Sequence, residues 1–162
     1  MADDLLDFSI QWDGIEEIMA NLDKATDEVI KAIEEGVNEN AEDLLEKSKA
    51  LAPHLTGDLE AAGHLGKLIN NGKEIKQRVI FSGVPYALRR HEEAPRMGTY
   101  PQYDQEGRRI GEYIDGRGVF TRGKPPVDGM EPGRKYLERP LKFYSKKYMQ
   151  TIADKVKEVL NK

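Results

Sequence analysis

Two segments of the chain alternate apolar and polar side chains, as strands with one buried face do. Residues 7–12 alternate in this way, and residues 74–82 place Ile75, Val79 and Phe81 on one face. Both segments are bounded by turn-forming residues, so each predicts a β-strand.

Two longer segments instead repeat apolar side chains every three or four residues. Over residues 15–51 acidic side chains fill the opposite face, which predicts an amphipathic helix that Gly36 or a cap within residues 21–26 could divide into two. Pro53 ends it, because proline lacks the amide hydrogen that a helix needs. Residues 135–160 predict a second helix.

Residues 94–133 have a different composition, with five prolines and many glycines and arginines. We expect an extended loop that projects from the core, because so long a segment has little apolar content. Within it, residues 109–113 and 119–122 flank a turn signal at Asp115-Gly116, which predicts a two-stranded ribbon.

These elements predict an α+β fold in a single domain over residues 1–162. The small antiparallel sheet takes both strands and the ribbon, the two long helices cover it, and residues 86–93 add a short helical or irregular piece. Charged side chains make up 33% of the chain, and no apolar run reaches the roughly 18 residues that span a bilayer. We expect neither a membrane span nor a signal peptide, and therefore synthesis in the cytoplasm.

The net charge of −4 conceals an uneven distribution. Residues 1–62 hold 17 acidic and four basic side chains, whereas residues 63–162 hold 12 acidic and 21 basic ones. Two interpretations stay open: the charges solvate helix faces, or the acidic half of one copy meets the basic half of the next.

Few side chains are suited to catalysis or metal binding. The chain has no cysteine and three histidines, His54, His64 and His91. His91 precedes Glu92, but no second ligand follows at a metal-binding spacing, and no nucleophile elbow or phosphate loop is present. We expect no catalytic, cofactor-binding or metal-binding residue, and we expect His91 and Glu92 to bond a loop or an adjacent subunit.

Arginines and aromatic residues alternate between residues 96 and 134. This pattern is typical of phosphate contact in nucleic-acid binding, or of contact with an acidic protein surface. We favour protein contact, because the first half of the chain supplies such a surface. The candidate inter-subunit or partner contacts are therefore Arg108, Arg109, Arg117, Arg122, His91 and Glu92.

Three motifs follow one another along the chain. They are Ala52-Pro53-His54-Leu55-Thr56-Gly57-Asp58-Leu59, Val84-Pro85-Tyr86-Ala87 with His91-Glu92, and Lys135-Tyr136-Leu137-Glu138-Arg139-Pro140-Leu141. In this order they resemble the neck family of tailed bacteriophages, the small head–tail joining or tail-completion proteins. The resemblance spans about residues 15–160.

The same motifs have architectural interpretations of their own. A proline and a glycine reverse the chain, a threonine bonds the following backbone, a leucine anchors the turn, and two tyrosines bury their rings while their hydroxyls bind backbone groups. A further proline fixes the start of the last helix. These residues are Pro53, Gly57, Thr56, Leu59, Tyr86, Tyr136 and Pro140.

The resemblance implies a non-enzymatic virion protein that forms a homo-oligomeric ring at the portal–tail junction. DNA would pass through the lumen without sequence-specific contact, and the other partners would be neck, connector and tail proteins, with no membrane. Assembly would take place in the cytoplasm of the bacterial host. Two alternatives stay open: a free DNA-binding protein that uses the arginine-rich arm of residues 96–134, and a hydrolase that uses His91 and Glu92.

Overall fold

The computed structural model describes residues 6–12 and 27–162. Its strands are β1 (Leu6–Trp12), β2 (Gly63–Leu65), β3 (Ile69–Asn70), β4 (Ile75–Phe81), β5 (Thr99–Tyr103) and β6 (Arg109–Ile114). Its helices are α1 (Asp27–Leu51), α2 (Asp58–Ala61), α3 (Ala87–Glu92), α4 (Val119–Gly123) and α5 (Glu138–Leu160).

The main sheet is antiparallel and is built around β4. Its order is β1-β4-β2, and β3 also pairs with β4. Alternate side chains of β4 are buried, including Ile75, Val79 and Phe81, because this face packs against α1. The predicted strands at residues 7–12 and 74–82 are confirmed, and so is the α+β class.

Helix α1 packs against the main sheet, α5 packs antiparallel to α1, and both helices contribute to the core. The predicted C-terminal helix is confirmed, and Pro140 lies buried in its first turn. Gly36 does not divide α1: a Cβ at this position would lie 2.9 Å from Cγ1 of Ile152, so the glycine lets the two helices approach closely. The part of this helix predicted before Asp27 falls outside the described residues.

The predicted pairing of residues 109–113 with residues 119–122 in a ribbon is wrong. β6 pairs with β5 and not with residues 119–122, which lie in α4. The Asp115-Gly116 turn does form, with positive φ at both residues, but only a single bridge between Ile114 and Arg117 follows it. Pro101 is accommodated because it lies in a two-stranded ribbon, where an edge position needs no amide donor.

The prediction that the ribbon belongs to the main sheet is also wrong. β5 and β6 form a separate two-stranded sheet. Its attachment to the core is by side chains: Gln102, almost completely buried, accepts a hydrogen bond from the Val119 amide at 2.7 Å. Thr121 of α4 accepts a further bond from the amide of His54 at 3.0 Å.

A basic groove as the candidate functional site

The structure has an open groove of about 730 Å³. It lies between α3, the base of the ribbon, the loop over residues 131–135 and the first turn of α5. The wall on the ribbon side carries Tyr100 and Tyr113, and Pro53 lines the groove beyond the end of α1.

Basic side chains dominate the lining of this groove. Seven basic residues face it against three acidic ones, Glu93, Asp115 and Glu131. The basic residues are Arg89, Arg90, Arg96, Arg117, Arg134, Lys135 and Arg139. Such a concentration of one sign of charge in a concave surface attracts anions.

Only part of this positive charge is compensated within the protomer. Arg89 pairs with Glu93 at 2.8 Å, and Arg117 pairs with Glu131 at 3.1 Å. By contrast, Arg90 makes no side-chain hydrogen bond or ion pair with any residue of the described ranges. The groove therefore keeps a surplus of cationic side chains that an external anion can satisfy.

Two more arginines bond to uncharged groups. The guanidinium of Arg96 lies 3.5 Å from the ring centroid of Tyr100, a cation–π contact on the ribbon wall. Arg134 donates from Nε and Nη2 to the carbonyl oxygen of Glu92, at 3.2 and 2.9 Å. These contacts fix the two side chains in place but leave their charge uncompensated.

Arg139 is the least satisfied basic residue of the groove. Its Nε is buried and has no hydrogen-bond partner, and its guanidinium pairs with no carboxylate in the described part of the chain. Burial, and then the like charge of Arg117, lower the pKa of Arg139 below its usual value. A buried donor without an acceptor is costly, and the side chain also lines the groove without a counter-charge from the described residues.

The floor of the groove consists of residues 131–135 and the first turn of α5, and backbone hydrogen bonds connect it to the core. The amide of Gly133 donates to the carbonyl of Leu51 at 2.8 Å, and the amide of Lys135 donates to the carbonyl of His91 at 3.1 Å. The side chain of Lys135 pairs with Glu138 at 2.7 Å and also bonds Glu92. Lys135, together with Lys142, lowers the pKa of Glu138 to about 2.

His91 and Glu92 lie behind this floor. His91 is completely buried; its Nδ1 lies 2.7 Å from Oε1 of Glu92, and its Nε2 accepts the amide of Glu138 at 3.3 Å. The ring meets Tyr136 edge-on, with centroids 5.1 Å apart. Burial lowers the pKa of His91, against the opposing effect of Glu92. Both ring nitrogens are thus engaged: Nε2 bonds α5, and Nδ1 bonds Glu92 within α3.

The candidate contact arginines do not form one cluster. Arg108 pairs with Asp104 at 2.8 Å and also with Glu106, and Arg109 pairs with Glu112 at 2.7 Å, so the ribbon carries its own counter-charges. Arg122 donates to the carbonyl of Glu112 at 2.9 Å. Of the four arginines proposed from the sequence, Arg117 alone lines the groove.

The contacts proposed from the sequence omit five arginines of the groove. Arg89 and Arg90 lie in α3, Arg96 lies next to the ribbon, Arg134 lies in the loop before α5, and Arg139 lies in the first turn of α5. They are scattered over fifty residues of sequence, and only folding brings them together. No local pattern marks these residues: Arg139, for example, stands in a motif that already contains the charged residues Lys135 and Glu138.

Most of the architectural residues lie as predicted. Gly57 adopts a positive φ of 92°, Oγ1 of Thr56 accepts the amide of Asp58 at 3.4 Å, and Leu59 is buried. Tyr136 is buried and its hydroxyl donates to the carbonyl of Ala87 at 2.9 Å. Pro53 follows the end of α1.

Tyr86 corrects the prediction that both tyrosines are buried, because it is 38% exposed. It immediately precedes α3, whose buried face consists of Ala87 and His91, four residues apart. A residue one position before Ala87 is rotated about 100° from that face, so its ring points away from the core.

An acidic stripe runs along the exposed side of α1. Its five members are spaced by three, four or seven residues, so they share one face of the helix. Glu39 pairs with Lys155 at 2.8 Å, whereas the other four form no ion pair within the described residues. The acidic stripe consists of Glu28, Glu35, Glu39, Glu42 and Glu46, all of them exposed.

Two further observations concern metal binding and membrane spans. No group of three or more His, Asp or Glu side chains within residues 6–12 and 27–162 is arranged to hold a metal ion. In the same ranges no helix has the length and apolar character to cross a membrane.

The fold and the groove define this chain as an α+β protein with a surface groove rich in arginine. Neither a protein-family model, nor a curated protein, nor a solved structure matches it significantly.

Proposed function

We propose that this chain is a structural, non-enzymatic virion protein of a tailed bacteriophage. It assembles in the cytoplasm of the bacterial host as a ring of identical copies at the head–tail junction, next to the portal, connector and tail proteins. DNA passes through the ring without sequence-specific contact. The resemblance of the three motifs suggests this role, and the arrangement of charge on the protomer supports it.

The observation that carries the proposal is the separation of two complementary surfaces. The acidic stripe begins near the start of α1, whereas the basic groove lies beyond its end. At a rise of about 1.5 Å per residue, Glu28 and Glu35 lie roughly 24–35 Å along the axis from the last turn of α1. These two residues of the stripe are therefore too distant to neutralise the groove of their own protomer.

Two different complementary surfaces favour head-to-tail association. When the stripe of one copy meets the groove of the next, every copy uses one surface of each kind, and the assembly closes into a ring if the rotation between copies allows it. Arg90 and Arg96 lie exposed in the groove and provide the cations for this contact. The bonds of His91 to α5 agree with a structural role for that residue.

The test uses two charge-reversal variants, each of which should fail to assemble alone, whereas a mixture of the two should assemble. In one variant the stripe carries Glu35→Lys and Glu42→Lys; in the other the groove carries Arg90→Glu and Arg96→Glu. Size exclusion with light scattering should show oligomers for the wild type and monomers for each variant. Mixing the two variants should restore assembly, because each reversed surface then faces a partner of opposite charge.

A matched control carries Arg108→Glu and Arg109→Glu, the same change in charge at the ribbon outside the groove. It should assemble like the wild type. Electron microscopy should show closed rings with an opening wide enough for duplex DNA. A wild-type protein that remains monomeric at all concentrations, or variants that assemble without being mixed, would contradict the proposal.

A free DNA-binding protein is the second candidate, and the groove itself favours it. Arg96 stacked on Tyr100 resembles the way in which proteins combine cations and aromatic rings against a nucleic-acid strand. In that case monomers would retain DNA in a strongly salt-dependent manner, and reversal of Arg90 and Arg96 would abolish retention.

A further inference from the structure

The floor of the basic groove brings two guanidinium groups together with too few carboxylates for both. Arg117 reaches the floor across Gly133, where an added Cβ would lie 3.3 Å from its Cδ. Arg139 approaches from the first turn of α5. Glu131 pairs with Arg117, but no carboxylate of the described ranges pairs with Arg139.

This arrangement is unfavourable for the protein without an anion. Like charges that are partly removed from water repel each other, and the buried Nε of Arg139 has lost its water without gaining an acceptor. The lowered pKa of Arg139 has the same two causes, burial and the charge of Arg117. A negatively charged group in the groove, between the two arginines, would offset this repulsion.

The backbone of the floor and the side chain of Arg134 are held in place before any ligand arrives. The amide of Gly133 is bonded to α1, the amide of Arg139 donates to the carbonyl of Lys135 at 3.0 Å, and Arg134 is fixed to the carbonyl of Glu92. A preorganised site loses little conformational freedom on binding, so more of the interaction energy becomes affinity.

We propose that the floor of the basic groove is an oxyanion site that binds a phosphate dianion between Arg117 and Arg139, with Arg134 at its edge. Guanidinium groups donate paired hydrogen bonds that match the oxygen atoms of phosphate. Glu131 already compensates Arg117, so a dianion would compensate the two guanidinium groups that pair with no carboxylate of the described residues, those of Arg139 and Arg134. The ligand is inorganic phosphate or the phosphate group of a monoester.

This site goes beyond the proposed ring and does not depend on it. The contact with a second copy uses Arg90 and Arg96, whereas the oxyanion site uses the floor of the groove. Phosphate uptake by a protein that forms no ring supports the site, and rings that take up no phosphate overturn the site alone.

The experiment is calorimetric titration of inorganic phosphate into the wild-type protein at pH 7.5 and low ionic strength. We expect saturable binding at one phosphate per chain, with chloride and acetate at equal ionic strength giving none. Arg139→Gln and Arg117→Gln should each weaken binding about tenfold or more, the scale of a lost charge-assisted hydrogen bond. Arg108→Gln, which removes an equally charged but exposed and paired side chain, should leave the affinity unchanged.

A simple phosphomonoester and a short DNA duplex form the other arms of the experiment. The monoester should compete with phosphate, whereas the duplex, whose phosphodiesters carry single charges, should not displace it. If the duplex binds and displaces phosphate, the groove is a nucleic-acid surface and the proposal fails. Non-saturable uptake, or equal weakening by Arg108→Gln, also overturns it.

A measurement on the wild type keeps the test independent of variant folding. The amide resonances of Gly133 and Arg134 should shift on addition of phosphate and saturate at the calorimetric affinity. If these resonances do not move, the proposal is wrong, whatever the stability of the variants.

Discussion

His91 joins two helices through a single buried ring. Because Nε2 accepts the amide of Glu138, it has no hydrogen of its own, so the neutral ring carries its proton on Nδ1 and donates it to Glu92. Protonation would place a second hydrogen on Nε2, directly against the amide of Glu138. The folded state therefore favours the neutral ring, in agreement with the lowered pKa of His91.

At this scale we predict a loss of stability at mildly acidic pH. A histidine with a lowered pKa contributes stability above its unfolded pKa of about 6.5, and this contribution is lost as the pH falls towards the folded pKa. The charges of Glu92 and Glu138 raise the pKa of His91 and that of Lys135 lowers it, but burial outweighs them and the pKa stays lowered. Glu138, whose pKa is about 2, remains ionised over this pH range. Urea unfolding of the wild type should show the loss between pH 7.5 and 5.

The control for this prediction is His91→Gln, which keeps a polar group of similar size but does not titrate. His54 and His64 are present in both proteins, so their contributions cancel. Equal pH dependence of the free energy of unfolding in wild type and His91→Gln would show that His91 does not titrate on unfolding.

Helices α1 and α5 approach each other closely at a glycine of α1. Gly36 faces Ile152, and on the next turn the amide of the Asn40 side chain donates to the carbonyl of Tyr148 at 2.9 Å. The Tyr148 hydroxyl in turn donates to Asp43 at 2.9 Å. Burial and this bond raise the pKa of Tyr148, so the hydroxyl stays protonated and remains a donor.

At the scale of elements we predict that Gly36→Ala destabilises the protein despite its better helix propensity. The propensity gain is about 1 kcal/mol, but the added methyl group would lie 3.2 Å from the Cα of Ile152, and overpacking of this kind costs about 1–3 kcal/mol. We expect a net loss of about 1 kcal/mol in chemical denaturation. Asn38→Ala, on the same helix but partly exposed, should change stability by less than about 0.5 kcal/mol; stabilisation by Gly36→Ala would contradict the packing argument.

Across the whole molecule, the positive charge available to a partner is concentrated in the groove and not on the ribbon. Arg108 and Arg109 are compensated by acidic neighbours on the ribbon itself, whereas Arg90 and Arg139 have no such partner among the described residues. Net charge along the sequence therefore gives the sign of a region but not the place where that charge is free.

At this scale we predict that self-association weakens as salt rises. Exposed charges are screened beyond about 8 Å at 0.15 M ionic strength, so a contact between the acidic stripe and the groove loses attraction. Light scattering at a fixed protein concentration should show smaller oligomers in 0.5 M than in 0.05 M sodium chloride. Association that is independent of salt would instead indicate an apolar interface.

The sequence by itself determined the strands at residues 7–12 and 74–82, the two long helices, the α+β class and the unequal distribution of charge. The strands, the helices and the class follow from local periodicity, because the spacing of apolar side chains indicates which face of an element is buried. It also located the turns at Gly57 and at Asp115-Gly116, since few residues tolerate positive φ.

Only the tertiary structure decided which distant segments meet. β5 and β6 pair through the turn over residues 104–108, and the bond from the Val119 amide to Gln102 then fixes the ribbon against α4, a contact that no local pattern records. The groove exists because residues from α3, the ribbon and α5 converge, and Arg139 lacks a carboxylate only because of what folding places around it. Contacts of this kind depend on the position of every element at once, whereas periodicity describes each element separately.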